Sequence, residues 1–164
     1  MTGHHIVIMG VSGTGKTTVG MLLADALGLP WRDGDDLHPP HNIAKMVAGE
    51  PLTDADRGPW LRAVGRWLGQ RPAGGVIACS ALRRPYRDLL RTAVPGVRFV
   101  HLHGDRDLLA ERMGRRYGHF MPVTLLDSQL SLLEPLAAGE EGREFDVADS
   151  PTELVAQIMS WLDA

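Results

Sequence analysis

Short apolar runs alternate with segments of helical periodicity along most of the chain. The runs that are long enough for buried β-strands are residues 6–9, 29–32, 76–79, 97–102 and 145–147. Between the first two runs, apolar residues recur every three or four positions from Val19 to Leu27, which predicts an amphipathic helix that Gly28 and Pro30 end. Strands that alternate with helices form right-handed βαβ units, so the pattern predicts a parallel sheet with helices on both faces.

Three further helices follow from the same kind of pattern. One contains residues 61–68, and its start is open between Asp54 and Pro59, because proline suits a first helical turn better than a helix interior. Another covers residues 108–116, before a hinge-like stretch. The last is announced by residues 150–153, Ser-Pro-Thr-Glu, which combine a capping box with proline at the first helical position.

Composition limits the classes of protein that the chain can belong to. Its 164 residues, 44% of them hydrophobic, suit one compact domain over residues 1–164. No run is long enough to span a membrane, so we expect a soluble, cytoplasmic chain. The net charge of −3 and the lack of a long basic block make nucleic acid a poor candidate partner. Cys79 is the single cysteine and lies in an apolar run, which favours a buried, inert thiol.

The strongest chemical signal lies directly after the first predicted strand. Residues 10–17, Gly-Val-Ser-Gly-Thr-Gly-Lys-Thr, match the Walker A pattern of a phosphate-binding loop and open the first predicted helix. Backbone N–H groups of such a loop form a nest for phosphate oxygens, and the helix N-terminus adds positive potential. The predicted ATP-binding residues in this loop are Gly10, Ser12, Gly13, Thr14, Gly15, Lys16, Thr17 and Thr18. Lys16 is also predicted to act in catalysis through the β- and γ-phosphates, and Thr17 to ligate Mg²⁺.

A second candidate site follows the second predicted strand, where two aspartates flank a glycine. In a doubly wound sheet the carboxyl ends of neighbouring strands meet at the ligand crevice, so this turn should face the phosphate loop. Asp33 could then orient Mg²⁺ through water, and Asp35 could take the proton of an attacking hydroxyl. Asp36 is expected to cap the next helix. Aspartate and glycine are also ordinary turn residues, so a purely structural turn remains an alternative.

Together these segments resemble the gluconokinases, a member family of the shikimate-kinase-like branch of P-loop kinases. The segments that carry the resemblance are 10–16, 33–39 with Asn42, 45–46, 49–52, 54–57, 59–61, 79–82, 86–91 and 118–120. The resemblance implies an α/β three-layer sandwich with a mostly parallel five-stranded sheet and a small lid at about residues 112–125. It also implies ATP and Mg²⁺ as cofactors and phosphorylation of D-gluconate at its 6-hydroxyl. Residues 80–83 replace the glycine-rich stretch of shikimate kinases, which argues against shikimate as the substrate.

A sugar acid needs cations for its carboxylate and polar groups for its hydroxyls. Arginine suits this role because its planar fork can bond both carboxylate oxygens. The predicted substrate contacts, besides Asp35, are His38, Arg57, Arg83, Arg87 and His119. For each arginine, an exposed surface charge is the alternative interpretation.

The lid that the resemblance implies would place arginines over the nucleotide. Arg112 is expected to contact the base or the phosphates, and Arg116 to stabilise charge on the transferring phosphoryl group as a catalytic residue. Arg115 is an alternative to Arg116, because the two are adjacent. His119 is either a substrate contact on lid closure or a hinge residue.

Two other functions stay open at this stage. One is a different small-molecule or nucleotide kinase of the same fold, and the other is a regulatory protein that binds nucleotide without turnover. Asp35 and the arginines of the lid speak against the second, because a binding protein needs neither. A homodimer is common among similar kinases, but the sequence does not determine the assembly.

Overall fold

Buried apolar side chains occupy both faces of the central strands, as expected for a sheet that helices cover on each side. The structure is a computed structural model that describes residues 3–117 and 123–164, with their side chains except those of 114–117 and 123–125. The strands are β1 (His4–Met9), β2 (Trp31–Asp33), β3 (Gly74–Ala78), β4 (Arg98–His103) and β5 (Gly142–Asp146). They form one sheet in the order β2-β3-β1-β4-β5, and every neighbouring pair is parallel. The predicted α/β fold is thereby confirmed, with a sheet that is parallel throughout.

Helices connect successive strands. They are α1 (Lys16–Leu27), α2 (Pro40–Val47), α3 (Asp54–Gly69), α4 (Arg84–Ala93), α5 (Arg106–Tyr117), α6 (Val123–Leu132) and α7 (Pro151–Asp163). A short 3-10 turn (Gly34–Leu37) follows β2. Among the described residues, no helix is long and apolar enough to cross a membrane.

The core has two halves, one on each face of the sheet. Ile6 and Ile8 of β1 pack in the half that also receives buried side chains of α1 and α7. Val7 and Met9 point the other way, into the half covered by α3 and α4. Because side chains alternate along a strand, one apolar run supplies both halves of the core.

Strand register brings two loops to one edge of the sheet. Ala78 of β3 pairs with Ile8 of β1 on one side and with Asp33 of β2 on the other. The carboxyl ends of β1 and β2 are therefore level, with one strand between them. The phosphate loop and the aspartate turn leave the sheet at the same height, which places both at the switch point where ligands bind in open α/β sheets.

Helix starts differ in how well the sequence predicted them. α7 begins as expected, because Ser150 and Glu153 form the reciprocal capping box. α3 begins at Asp54, with Thr53 and Asp56 as a second capping box, and Pro59 lies inside it. The expectation for Asp36 is wrong: it lies within the 3-10 turn, and Pro39 precedes α2 without a side-chain cap.

Candidate active site

The phosphate loop has the backbone shape that anion binding needs. Gly13 and Gly15 have φ angles of 85° and 83°, in the left-handed region that favours glycine. Thr14 is buried and its hydroxyl donates to the Val11 carbonyl at 2.9 Å, which holds the loop from inside. The Gly10 N–H donates to the Ser80 carbonyl at 3.2 Å and ties the loop to the segment after β3. The loop is therefore shaped before any phosphate arrives.

Lys16 and Thr17 reach the cleft that the loop borders. The Lys16 ammonium donates to the carbonyls of Gly10 and Val11 at 2.8 and 3.0 Å, so it lies folded along the loop. Thr17 is half-buried, whereas Thr18 is exposed on α1. The residues that line the cleft are Ser12, Gly13, Gly15, Lys16, Thr17, Asp33, Asp35, Ala78, Cys79 and Ser80. The phosphate loop, the predicted metal-side carboxylate Asp33 and the predicted catalytic Asp35 thus share one cavity.

The aspartate turn is held tightly against β3. Asp33 accepts a hydrogen bond from the Asp35 N–H at 3.0 Å and so caps the 3-10 turn. Gly34 is required here because a Cβ at this position would lie 2.1 Å from the Ala78 carbonyl oxygen. Trp60 of α3 donates to the Gly34 carbonyl at 2.7 Å. These contacts fix the backbone of the turn and the direction of the Asp33 carboxylate.

Asp35 has the surroundings of a proton acceptor. Its side chain is 79% exposed to the solvent of the cleft, yet the cleft walls partly desolvate it. This desolvation, together with the charge of Asp33, raises the pKa of Asp35, while Lys16 and His38 oppose the rise. A carboxylate with a raised pKa is a better base toward an alcohol than an ordinary surface aspartate.

His38 lies behind Asp35 and is almost fully buried. Its Nε2 is 3.9 Å from Asp35 Oδ1, and its ring stacks on Trp60 with 4.1 Å between ring centroids. Burial lowers the pKa of His38, and nearby Arg57 lowers it further, although Asp35 acts in the opposite sense. His38 is therefore placed as a neutral donor beside the Asp35 carboxylate.

Arg57 and Arg83 meet at a polar cluster next to the cleft. Arg57 donates to the Tyr86 hydroxyl at 3.1 Å, and that hydroxyl donates to Asp54 at 2.7 Å. Arg83 lies 3.5 Å from Asp54 and donates to Glu134 at 3.2 Å. The sequence alone indicates no role for Asp54 and Tyr86, although both lie in segments that resemble the family.

Arg87 lies elsewhere, and its expected role needs correction. It is fully buried, donates to both carboxylate oxygens of Glu140 at 2.7 and 3.1 Å, and donates to the Ala81 carbonyl at 2.9 Å. Hydrogen bonds from Arg87, from the Ala137 N–H and from Arg91 hold the pKa of Glu140 at about 2, although burial alone would raise it. A guanidinium whose N–H donors already bond Glu140 and the Ala81 carbonyl, and which is closed to solvent, is unsuited to a substrate carboxylate. Arg87 instead fixes the segment after β3.

The remaining predicted residues lie at or beyond the helix that precedes the expected lid. Arg112 of α5 donates to the Val147 carbonyl at 2.7 Å, so it faces the segment after β5. The side chains of Arg115 and Arg116, and all of His119, lie outside the described residues. Gln129 of α6 accepts a hydrogen bond from the Ser12 N–H at 2.6 Å, a contact to the phosphate loop that the sequence did not reveal.

Cys79 belongs to the lining of the cleft, but its thiol is buried. The thiol is free and 1% exposed, and burial raises its pKa to about 12. It therefore stays protonated at neutral pH, as expected for an inert thiol.

Comparison with known proteins agrees with this geometry. A family model described as shikimate kinase matches residues 12–162. A gluconokinase of Gluconobacter oxydans is 52% identical over 80% of this chain and 75% of its own length. A sugar kinase of a Janibacter species, solved without ligand, has a TM-score of 0.91 at 46% identity, over 98% of this chain and 95% of its own. A gluconokinase of Sinorhizobium meliloti has a TM-score of 0.89 at 50% identity, over 96% and 90%. The chain therefore belongs to the shikimate kinase family and, within it, to the gluconokinases.

Proposed function

We propose that this protein transfers the γ-phosphoryl group of ATP to the 6-hydroxyl of D-gluconate, which gives 6-phosphogluconate and ADP. The observation that carries the proposal is the shared cleft, in which the phosphate loop faces Asp33 and Asp35. Among kinases of this fold, the family to which the chain belongs favours gluconate over the alternative acceptors. A regulatory role without turnover is not favoured, because it leaves the second carboxylate without a purpose.

The nucleotide phosphates would bind the loop at the start of α1. The N–H groups of the loop and the helix N-terminus supply fixed donors, and Lys16 supplies a charge that can move from the Gly10 carbonyl to a phosphate oxygen. Arg112 and Arg116 remain proposed contacts of the nucleotide and of the transferring group. Such contacts would be strongest in the transition state, where charge is spread over the transferring oxygens.

Residues of the cleft fit Mg²⁺. Thr17 offers a hydroxyl and Asp33 a carboxylate, both of which are hard oxygen donors that suit this ion. One carboxylate plus nucleotide phosphates is an ordinary ligand set for Mg²⁺ in kinases. When bound, the ion would neutralise part of the phosphate charge.

Asp35 would accept the proton of the gluconate 6-hydroxyl. The hydroxyl oxygen then forms the new bond to the γ-phosphorus as the bond to the bridging oxygen of ADP breaks. The desolvation that raises the pKa of Asp35 makes this proton transfer more favourable than it would be in open water.

The gluconate carboxylate would bind at the cluster of Arg57 and Arg83. Both guanidiniums now contact protein groups, Tyr86 and Asp54 among them, so the substrate would replace weak, partly exposed contacts. His38 and His119 remain proposed contacts of the hydroxyls. Arg87 no longer belongs to this set, because Glu140 occupies it.

Release of ADP would test the proposal. Wild type is incubated with Mg·ATP and with D-gluconate, shikimate, glycerate, nucleoside monophosphates or no acceptor. We expect gluconate alone to accelerate ADP release strongly. Asp35→Asn should lower kcat about 10²- to 10⁴-fold, because a positioned base contributes that much. Asp36→Asn, an exposed neighbour on the same turn, is the matched control and should retain activity. Equal ADP release with gluconate and with water would refute the substrate.

The cellular location, the partners and the assembly of the enzyme are also proposed. We place the enzyme in the cytoplasm, acting on a small molecule without nucleic acid or membrane as partner. A homodimer is the assembly to test first, by sedimentation equilibrium of the purified chain.

A further inference from the structure

A buried polar contact lies between α2 and the base of the active site. Asn42 of α2 is 1% exposed, and its amide nitrogen Nδ2 lies 2.9 Å from the Asp56 carbonyl oxygen and 3.1 Å from His38 Nδ1. The two partners belong to different elements, α3 and the segment that follows the 3-10 turn. One amide therefore links α2 to the backbone of α3 and to the ring of His38.

The Asp56 carbonyl fixes which way the Asn42 amide faces. A carbonyl oxygen can only accept, so the atom of Asn42 that faces it must be the NH₂ group. The reverse orientation would bring two oxygens together at 2.9 Å. The Asn42 oxygen Oδ1 has no partner among the described residues, so the hydrogen bonds of this amide are made through its NH₂ group.

The same amide fixes the tautomer of His38. Nδ2 carries two hydrogens; one is used by the Asp56 carbonyl, and the other points to His38 Nδ1. Nδ1 must accept this hydrogen, so it carries no proton, and the ring proton of the neutral imidazole lies on Nε2. Protonation of Nδ1 would place two donors against each other.

Trp60 holds the plane of the His38 ring, and the Asn42 contact at Nδ1 selects which edge faces the cleft. Trp60 stacks on the ring with an interplanar angle of 16°, and Trp60 is itself bonded to Gly34. Nε2 then points toward Asp35, 3.9 Å from the nearer carboxylate oxygen. That distance is too long for a direct hydrogen bond, so the donor is available to a hydroxyl that enters beside Asp35.

We propose that Asn42 is a positioning residue, which holds His38 as the Nε2–H tautomer and so presents one fixed donor to the substrate hydroxyl beside Asp35. The proposal rests on the proposed function for the identity of that hydroxyl. The tautomer itself does not depend on the substrate. The wrong tautomer would offer a lone pair to the hydroxyl, and the hydroxyl proton would then be drawn to His38 as well as to Asp35.

The first test measures the tautomer directly. Ligand-free wild type with ¹⁵N-labelled histidine is studied by two-bond ¹H–¹⁵N NMR at neutral pH, and His38 is assigned from the signal that disappears in His38→Gln. We expect Nδ1 to have the ¹⁵N chemical shift of an unprotonated nitrogen, and Nε2 to have that of a protonated nitrogen. An Nδ1–H tautomer, or an averaged pair of shifts, would overturn the proposal. This readout decides the matter even if gluconate proves to be the wrong acceptor.

The second test connects the tautomer to turnover. In Asn42→Leu we expect averaged His38 shifts and a kcat with gluconate that falls roughly tenfold, the effect of one lost hydrogen bond, with the KM for ATP unchanged. His41→Ala is the matched control. It removes another α2–α3 contact, the 3.0 Å bond to Asp56, from an exposed side chain that does not face His38. Wild-type shifts and kcat in Asn42→Leu, or equal losses of kcat in both variants, would contradict the proposal.

Discussion

At the scale of single residues, the aspartate turn depends on one missing side chain. In Gly34→Ala the new Cβ would meet the Ala78 carbonyl oxygen at 2.1 Å, so the turn must move away from β3. We expect a loss of about 1–3 kcal/mol in the free energy of unfolding, as for other overpacked sites, and a larger loss of kcat because Asp33 and Asp35 move too. Denaturant titration and ADP release measure both. Gly96→Ala, where a Cβ meets nothing within 4 Å, is the control and should change neither.

Arg87 and Glu140 form a buried ion pair whose role is structural. Arg87→Met leaves the Glu140 carboxylate without its bidentate partner in a closed site, so we expect a loss of about 3–5 kcal/mol in unfolding free energy. Arg87→Met combined with Glu140→Met should recover part of this loss, because no unpaired charge remains. The KM for gluconate of the folded protein should stay close to wild type. A large rise in that KM with little loss of stability would restore Arg87 as a substrate contact.

At the scale of elements, sequence pattern predicted the strands and most helices because burial follows hydrophobic periodicity. The capping box of α7 and the phosphate loop were predictable for the same local reason, since each is a short motif with its own geometry. The start of α3 was not predictable in this way. Thr53 and Asp56 indicate a start at Asp54, whereas Pro59 indicates a later start. The burial of Arg87 was not predictable either, because its partner Glu140 is 53 residues away along the chain.

Pro59 provides a test at this scale, because it interrupts the interior of α3. It lies five residues after the first residue of the helix, on the exposed side, and lacks the N–H that would bond to the Ala55 carbonyl. We expect Pro59→Ala to raise the unfolding free energy by about 1–3 kcal/mol, the difference in helix propensity less the added freedom of the unfolded chain. Thermal unfolding measures the change. Thr53→Ala should instead lower the unfolding free energy by about 1 kcal/mol, because the N-cap of α3 is lost. A lower melting temperature for Pro59→Ala would show that the proline is needed for the path of α3.

At the scale of the whole molecule, the order of the strands decides what meets in the cleft. The sequence predicted that the phosphate loop and the aspartate turn face each other, but not that β3 lies between β1 and β2. The segment that follows this strand adds Cys79 and Ser80 to the cleft wall and brings the Ser80 carbonyl to the Gly10 N–H. Strand order depends on the packing of all helices together, and no single segment encodes it.

The pH dependence of stability is also a property of the whole fold, and His101 of β4 should contribute strongly to it. The side chain is 2% exposed, and its Nδ1 has no hydrogen-bond partner among the described residues. Burial lowers the pKa of His101 to about 4, and His103 and Arg87 act in the same sense, while Glu144 at 3.6 Å opposes them. The unfolded chain, with an ordinary histidine pKa of 6.5, therefore binds the proton more tightly than the folded protein does.

The sign of the effect follows from this difference in pKa. The contribution of neutral His101 is complete above pH 6.5 and is lost as the pH falls toward 4, by roughly 3 kcal/mol over the whole window. Glu140 contributes only at the lower end of that window, because its pKa is 4.5 in the unfolded chain and about 2 in the folded protein. In His101→Leu the unfolding free energy, measured by denaturant titration at several pH values, should decline less between pH 6.5 and 4. His103→Gln removes only one of the groups that lower the pKa of His101, so its slope should change much less than that of His101→Leu. If His101→Leu declined as steeply as wild type, the acid sensitivity would have to come from other groups, Glu140 among them, whose ordinary pKa of 4.5 in the unfolded chain lies inside the window.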